Sequence, residues 1–334
     1  MSETYRAIRL ERFADSFRAG TGITELPIGT PAPGEIVVRN HWAGVNGIFD
    51  TQFALGKAGY MRADLPSFTG VEAGGIVTAV GADVTGIAIG DAVASMRFRS
   101  GYREVNQGSA DQFAPLPDAS TESLTLASTG VAALLALEHG GQLQNGETVA
   151  ISAAAGGLGH VMVQLAKLRG CKVVAVCGGD DKTRFVESLG ADRVIDYTRE
   201  DVAAVLADEW YDAIDVAVDT VGGAIFDAFA ANLAPHGRLV ISGAARDMDN
   251  PTLAPRIALT IYYKAARVQA FQNGLVQHLW GGARSRLFAL HASGALKVHC
   301  DRSFKGLEGV YDAIEHLLSG KSIGKVVVDL RPND

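Results

Sequence analysis

The segment Ala153-Ala154-Ala155-Gly156-Gly157-Leu158-Gly159 constrains this chain more than any other. It stands between an apolar run at 148–152, which reads as a buried strand, and a helical pattern at 159–169. This is the spacing of a dinucleotide-binding turn with alanine in its first glycine position. Small residues are needed there so that the backbone can approach a pyrophosphate and the helix N-terminus can aim free N–H groups at it. An ordinary tight strand-to-helix turn has the same composition, so context decides. A second strand ends at Cys177, 18 residues past Gly159. Apolar strands at 193–195, 213–218 and 238–242 then alternate with helical patterns at 181–189, 199–206 and 223–233. That alternation predicts an α/β, doubly wound parallel sheet that binds a dinucleotide.

Residues 1–124 read differently. Short strands at 35–40, 75–81 and 90–94 lie between turn signals such as Pro31-Ala32-Pro33-Gly34, as in a small barrel-like β domain. After residue 271 come helices at 274–293 and 306–318 and a last strand at 325–330. That strand has no βα partner and is expected to pair in the first domain. The expected division is 1–124, 125–270 for the nucleotide domain, and 271–334 completing the first, as 334 residues allow at ~150 per domain. The formal charge of −7 lacks the basic excess of a nucleic-acid-binding protein. Cys171, Cys177 and Cys300 are scattered and imply no disulfide framework. The opening MSETYRAIRLERF has no apolar signal core, and the most apolar stretch, 149–166, is broken by three glycines and a histidine. A cytoplasmic enzyme with no membrane or nucleic-acid partner is the expectation.

The end of the second strand selects the cofactor. An NAD site places a carboxylate there for the ribose hydroxyls. Here Cys177 is followed by Gly178-Gly179-Asp180-Asp181-Lys182, with Lys182 within reach of a 2′-phosphate, so NADPH is expected. Asp180 and Asp181 also read as first-turn acids of the next helix, and Lys182 as a solvated lysine.

Four motifs carry a resemblance: GVNGIFD (44–50), FTGVEAGGIV (68–77), AAAGGLG and SGKSIGKVVVDL (319–330). Together they resemble the medium-chain dehydrogenase/reductase superfamily over nearly the whole chain. LTLASTGVAALLALEHGG, VDTVGGAIFDAF and IYYKAARVQAF point to its zinc-free branch of quinone oxidoreductases, prostaglandin reductases and 2-alkenal double-bond reductases. The resemblance implies a Rossmann domain plus a GroES-like β-barrel catalytic domain, with the active site in a cleft between them. Zinc relatives carry a thiolate and an imidazole where this chain has Asn46 and Val71, which cannot hold Zn²⁺, so no metal is expected. His299 and Cys300, adjacent on a strand, would point opposite ways.

Without a Lewis acid, conjugate reduction is the less demanding chemistry. Hydride adds to the β-carbon of an enone or enal, donors stabilise the enolate, and a proton reaches the α-carbon. The alternatives are an NADPH:quinone oxidoreductase or a vestigial NADPH-binding protein. The resemblance implies that Ala155, Gly156, Gly157 and Leu158 line the pyrophosphate and that Lys182 and Tyr197 contact the 2′-phosphate. It places Asp219 and Val221 beside the nicotinamide ribose, Ser242, Gly243 and Phe271 at strand ends facing the crevice, and Ser322 where relatives have a cofactor-binding asparagine. Tyr197 could simply cap a strand and Phe271 could be core. For the proton or the carbonyl, Tyr263 and Tyr60 compete, and Asn46 either bonds the carbonyl region or forms a turn. Val131, Ser322 and the pair Gly178-Gly179 depart from the family pattern and weaken individual cofactor contacts. Residues 96–104 carry Arg97, Arg99 and Arg103, either for an anionic substrate or as a solvated hairpin. A homodimer is expected through an edge strand at 268–271.

Overall fold

The computed structural model describes residues 3–57, 63–243, 245 and 258–332. The chain divides into two compact units, Met1–Ser128 with Cys300–Asp334, and Thr129–His299. Chain order runs β1 (Thr4–Leu10), α1 (Phe17–Gly20), β2 (Thr21–Pro27), β3 (Glu35–Gly44), α2 (Gly47–Ala54), β4 (Ser67–Phe68), β5 (Glu72–Val80), β6 (Ala92–Ser95), β7 (Val105–Ser109) and β8 (Phe113–Pro115). A helical stretch with α3 (Thr121–Thr125) and α4 (Val131–Leu135) leads to β9 (Thr148–Ile151) and α5 (Gly159–Leu168). Then come β10 (Lys172–Cys177), α6 (Asp180–Ser188), β11 (Arg193–Asp196), α7 (Val202–Glu209), β12 (Ile214–Asp219), α8 (Gly223–Ala231) and β13 (Leu233–Ile241). The chain ends with α9 (Ala258–Lys264), β14 (Arg267–Ala270), α10 (Trp280–Ala292), β15 (Cys300–Lys305), α11 (Glu308–Leu318) and β16 (Lys325–Asp329).

In the first unit, β2-β1-β4 form a small sheet, and β15-β16-β3-β5-β6-β8 form a larger one with β7 paired to β3. Alternation along β3 sends Ile36 and Val38 into a core with Val77, Val93 and Phe113. The last strand, β16, pairs antiparallel with β3, so the tail does complete this sheet. A second core joins Ile8, Leu10, Val45, Phe53 and Tyr102 to Ile314 and Val328.

In the second unit the strand order is β11-β10-β9-β12-β13-β14, every pair parallel. The order reverses between β9 and β12, the switch point at which open α/β sheets bind ligands. Strands buried on both faces explain the near-continuous Val/Ile/Ala runs of β9, β10 and β12.

Several boundaries differ from expectation. Residues 271–299 group with the second unit, held there by Arg286–Glu138 and by Gln164 bonded to Lys297. The helix expected at 274–293 breaks into a 3₁₀ segment, Asn273–Leu279, and α10. Gln272 caps the first piece and Val276 leaves helical geometry. α7 starts at Val202 because Asp201 accepts the N–H groups of Ala203 and Ala204. No helix among the described residues is long and apolar enough to cross a membrane.

Candidate cofactor and active site

In the turn between β9 and α5, Gly156 N–H donates to Ala153 O (2.9 Å) and Ala154 N–H to Val176 O (3.0 Å), which pins the bend against β10. A Cβ at Gly159 would lie 2.3 Å from Ala153 O and 2.6 Å from Ala154 Cα, so only glycine lets the helix start this close beneath the turn. His160, fully buried, completes the clamp. Its Nε2 accepts the His299 N–H at 3.2 Å, so Nδ1 carries the proton it shares with Gly156 O at 2.9 Å. Burial pushes this imidazole down to about 4, which keeps it neutral. In the sequence this histidine is only an interruption of an apolar run. Ala154 and Ala155 are buried, whereas Gly156, Gly157 and Leu158 are half-buried.

Asp219, at the tip of β12, organises the switch point. Its buried carboxylate accepts Ser152 Oγ (2.6 Å), Val221 N–H (3.0 Å) and Gly222 N–H (2.8 Å), and Ser152 Oγ accepts Thr220 N–H (2.8 Å). These bonds tie the tips of β9 and β12 together and orient the Asp219-Thr220-Val221-Gly222 turn. The Ser242 N–H donates to Asp219 O at 2.8 Å, placing Ser242 and Gly243 at the next strand end. Ser152 is a positioning residue that its sequence context does not reveal.

At the tip of β10, a Cβ on Gly178 would lie 2.4 Å from Tyr197 Cζ. Gly178 is thus the seat of the Tyr197 ring. Two carboxylates lie nearby, and both are engaged. Asp196 accepts Gly179 N–H (2.9 Å) and Thr198 Oγ1 (2.7 Å), while Asp180 pairs with Arg199 at 2.6 Å. Lys182, half-buried in the first turn of α6, has its ammonium pKa lowered by burial. The tip of β10 is thus flanked by the Lys182 ammonium and the Tyr197 phenol.

The first unit holds a buried polar cluster at the positions of Asn46 and Glu72. Lys325 Nζ lies 2.5 Å from Glu72 Oε1 and donates to Val45 O (3.1 Å) and Asn46 Oδ1 (3.4 Å). Asn46 Nδ2 donates to Glu72 Oε1 at 3.0 Å. The ammonium and the carboxylate therefore fix the amide, oxygen toward the cation and nitrogen toward the anion. Among the described residues no three His, Cys, Asp or Glu side chains converge as a metal-binding group. Beneath Asn46, its N–H donates to Asp50 Oδ2 (3.2 Å), which also accepts Tyr102 Oη at 2.5 Å. Burial drives the Asp50 carboxyl up to about 7.

Because Asp50 holds its proton more tightly when folded, its contribution to stability falls as pH rises from about 4 to about 7. The depressed His160 acts in the opposite sense, adding stability as pH rises from about 4 to its unfolded value of 6.5. Asp50→Asn is therefore expected to leave a rising slope in that window, up to about 1.4 kcal/mol per pH unit. Urea denaturation across the window checks it; an unchanged profile would remove Asp50 from the titration.

The remaining positions are dispersed. Phe271 is buried beside Gly140, with its N–H donating to Ile241 O, so its ring packs in the core. Ser322 lies half-buried just before β16 in the first unit. Tyr263 sits on α9, 78% exposed, with its ring edge-on to Tyr262. Tyr60 lies outside the described residues.

Residues 32–142 match the alcohol dehydrogenase GroES-like domain and residues 157–287 the zinc-binding dehydrogenase family. The chain is 34% identical to prostaglandin reductase-3 of Mus musculus, over 98% of this chain and 90% of that protein. It is 29% identical to the NADPH-dependent curcumin reductase of Escherichia coli (strain K12), over 93% and 92% of the two chains. The crystal structure of Escherichia coli quinone oxidoreductase complexed with NADPH superposes with a TM-score of 0.82 at 27% identity, covering 97% of this chain and 99% of that one. The chain belongs to the medium-chain dehydrogenase/reductase superfamily, in its zinc-free branch of quinone oxidoreductases and prostaglandin reductases.

Proposed function

We propose that this NADPH-dependent oxidoreductase reduces the activated C=C bond of an α,β-unsaturated carbonyl. The single observation that carries this reading is the Asn46 amide held between Glu72 and Lys325. An amide is a donor with no proton to lose, which suits an enolate oxygen better than it suits alcohol activation. The similarity to prostaglandin reductase-3 and curcumin reductase supports the same class. Bound NADPH supplies the hydride. The second unit's task is to hold the cofactor: the turn at 155–158 and Gly159 for the pyrophosphate, Lys182 and Tyr197 for the 2′-phosphate. The Asp219–Val221 turn, Ser242 and Gly243 serve the nicotinamide end, and Ser322 is retained as a cofactor contact. The α-carbon proton is assigned to Tyr263 or Tyr60, and Y263F and Y60F compared for kcat separate them.

The test is steady-state NADPH oxidation with matched enones and quinones, followed by deuterium transfer from labelled NADPH. Deuterium at the β-carbon of the saturated ketone is the expected result. Turnover of quinones alone would install the quinone reading; tight NADPH binding without turnover would install the vestigial one. Lys182→Ala is expected to raise KM for NADPH about 100-fold, as loss of a charge-assisted contact of 1.5–3 kcal/mol allows, with little change for NADH. Equal effects on both cofactors would remove Lys182 from the phosphate site.

Homodimerisation belongs to the same proposal. All four residues of β14 are exposed, and the strand pairs with β13. An exposed edge with Val268 on it is a template for a second copy. Val268→Asp is expected to shift the protein from dimer to monomer in light scattering; an unchanged mass would refute that edge as the interface.

A further inference from the structure

Most arginines of this acidic chain meet a carboxylate, as Arg6, Arg39, Arg193, Arg238 and Arg302 do. Arg9, Arg97 and Arg103 of the first unit have no ion pair among the described residues. Two of them share one ring: the guanidinium carbon of Arg103 lies 3.8 Å from the Phe68 centroid and that of Arg9 lies 5.6 Å from it. Among the described residues the Nε atoms of both are buried without a hydrogen-bond partner. The Arg103 guanidinium donates to Arg99 O at 3.1 Å.

On β1, Arg9 faces Gly22 of β2, which offers no side chain to cover the guanidinium, and Ala7 bridges to Arg103. Glu11 Cγ lies 4.0 Å from the Cβ position of Gly22, and among the described residues Glu11 makes no ion pair with Arg9. Burial, and then the charge of Arg97, hold the Arg103 guanidinium below its ordinary value, with Tyr5 opposing. Cation–π contact offsets part of the burial cost, but two like charges on one ring still repel. An oxyanion bridging the terminal nitrogens of the two forks would cancel the repulsion, which is the geometry in which arginine is strongest.

We propose that Arg9 and Arg103, stacked on Phe68 with Arg97 nearby, form an oxyanion-binding site for the carboxylate or phosphate group of a small molecule. The loop bearing it is tied to the segment leading into Glu72, through Arg99 N–H to Gly70 O (2.7 Å) and Tyr102 N–H to Thr69 O (3.2 Å). An anion seated there rests on the strap that also holds Tyr102 against Asp50.

The test uses the full chain saturated with NADP⁺, so that the cofactor's own phosphate seat is filled. Inorganic pyrophosphate and succinate are titrated separately by calorimetry, to distinguish the phosphate from the carboxylate source. Saturable binding of at least one anion is expected, weakened at least tenfold by Arg103→Met and by Arg9→Gln. Arg9 is the safer substitution, because it lies on a strand opposite a glycine, and a thermal melt of that variant establishes that it is folded. No saturable binding of either anion, or binding that neither substitution weakens, would overturn the proposal.

Discussion

Replacing Gly159 with alanine is expected to weaken NADPH binding by about 100-fold and to destabilise the second unit by about 3 kcal/mol. The added methyl carbon would meet backbone, 2.3 Å from Ala153 O and 2.6 Å from Ala154 Cα, and backbone cannot rotate away. The start of α5 must move outward, carrying the N–H groups that the proposal assigns to the pyrophosphate. The same shift would strip His160 of its bond to Gly156 O, leaving a buried ring nitrogen unpaired. Gly281→Ala in α10 is the control: nothing lies within 4 Å of its Cβ, so it should stabilise by about 0.5–1 kcal/mol. Fluorescence titration with NADPH and thermal melts of both variants read the contrast. A Gly159→Ala protein that binds NADPH normally would show that the turn does not face the cofactor.

The contrast also marks what a sequence can disclose. The parallel sheet was legible because strands buried on both faces must be apolar throughout, and because turn glycines punctuate them. Gly159 was legible for the same reason: its constraint is local, set within seven residues. The bonds of Asp219 to Ser152 and of Lys325 to Glu72 were not. They join residues far apart in the chain, and no local pattern distinguishes a buried, paired lysine from a solvated one. β13 shows the same limit in miniature. The strand expected at 238–242 is preceded by Pro235-His236-Gly237, where His236 takes φ 66°. The strand nevertheless runs from Leu233, because its pairing with β12 jumps from Leu233 to Arg238 across that irregularity. At Gly178, which departs from the family pattern, no local signal discloses that the ring of Tyr197 is seated on it.

Lys325→Met is expected to cost about 3–5 kcal/mol and to lower the first unit's Tm by about 10 °C. Glu72 is fully buried, and removal of the ammonium 2.5 Å away leaves its carboxylate without a cation in a medium that cannot solvate it. The double variant Glu72→Gln/Lys325→Met should recover most of that loss, since the uncompensated charge is gone. A coupling of about 2–3 kcal/mol in the double-mutant cycle is the expected signature. Activity should separate from stability. In the double variant the Asn46 amide no longer lies between opposite charges, so nothing selects which end faces Glu72 and which faces residue 325. A recovered Tm with kcat still depressed, and KM for NADPH unchanged, is the outcome that assigns the ion pair to orienting Asn46. If kcat returned along with Tm, the pair would be purely structural, and the amide could no longer serve as the donor to the substrate oxygen.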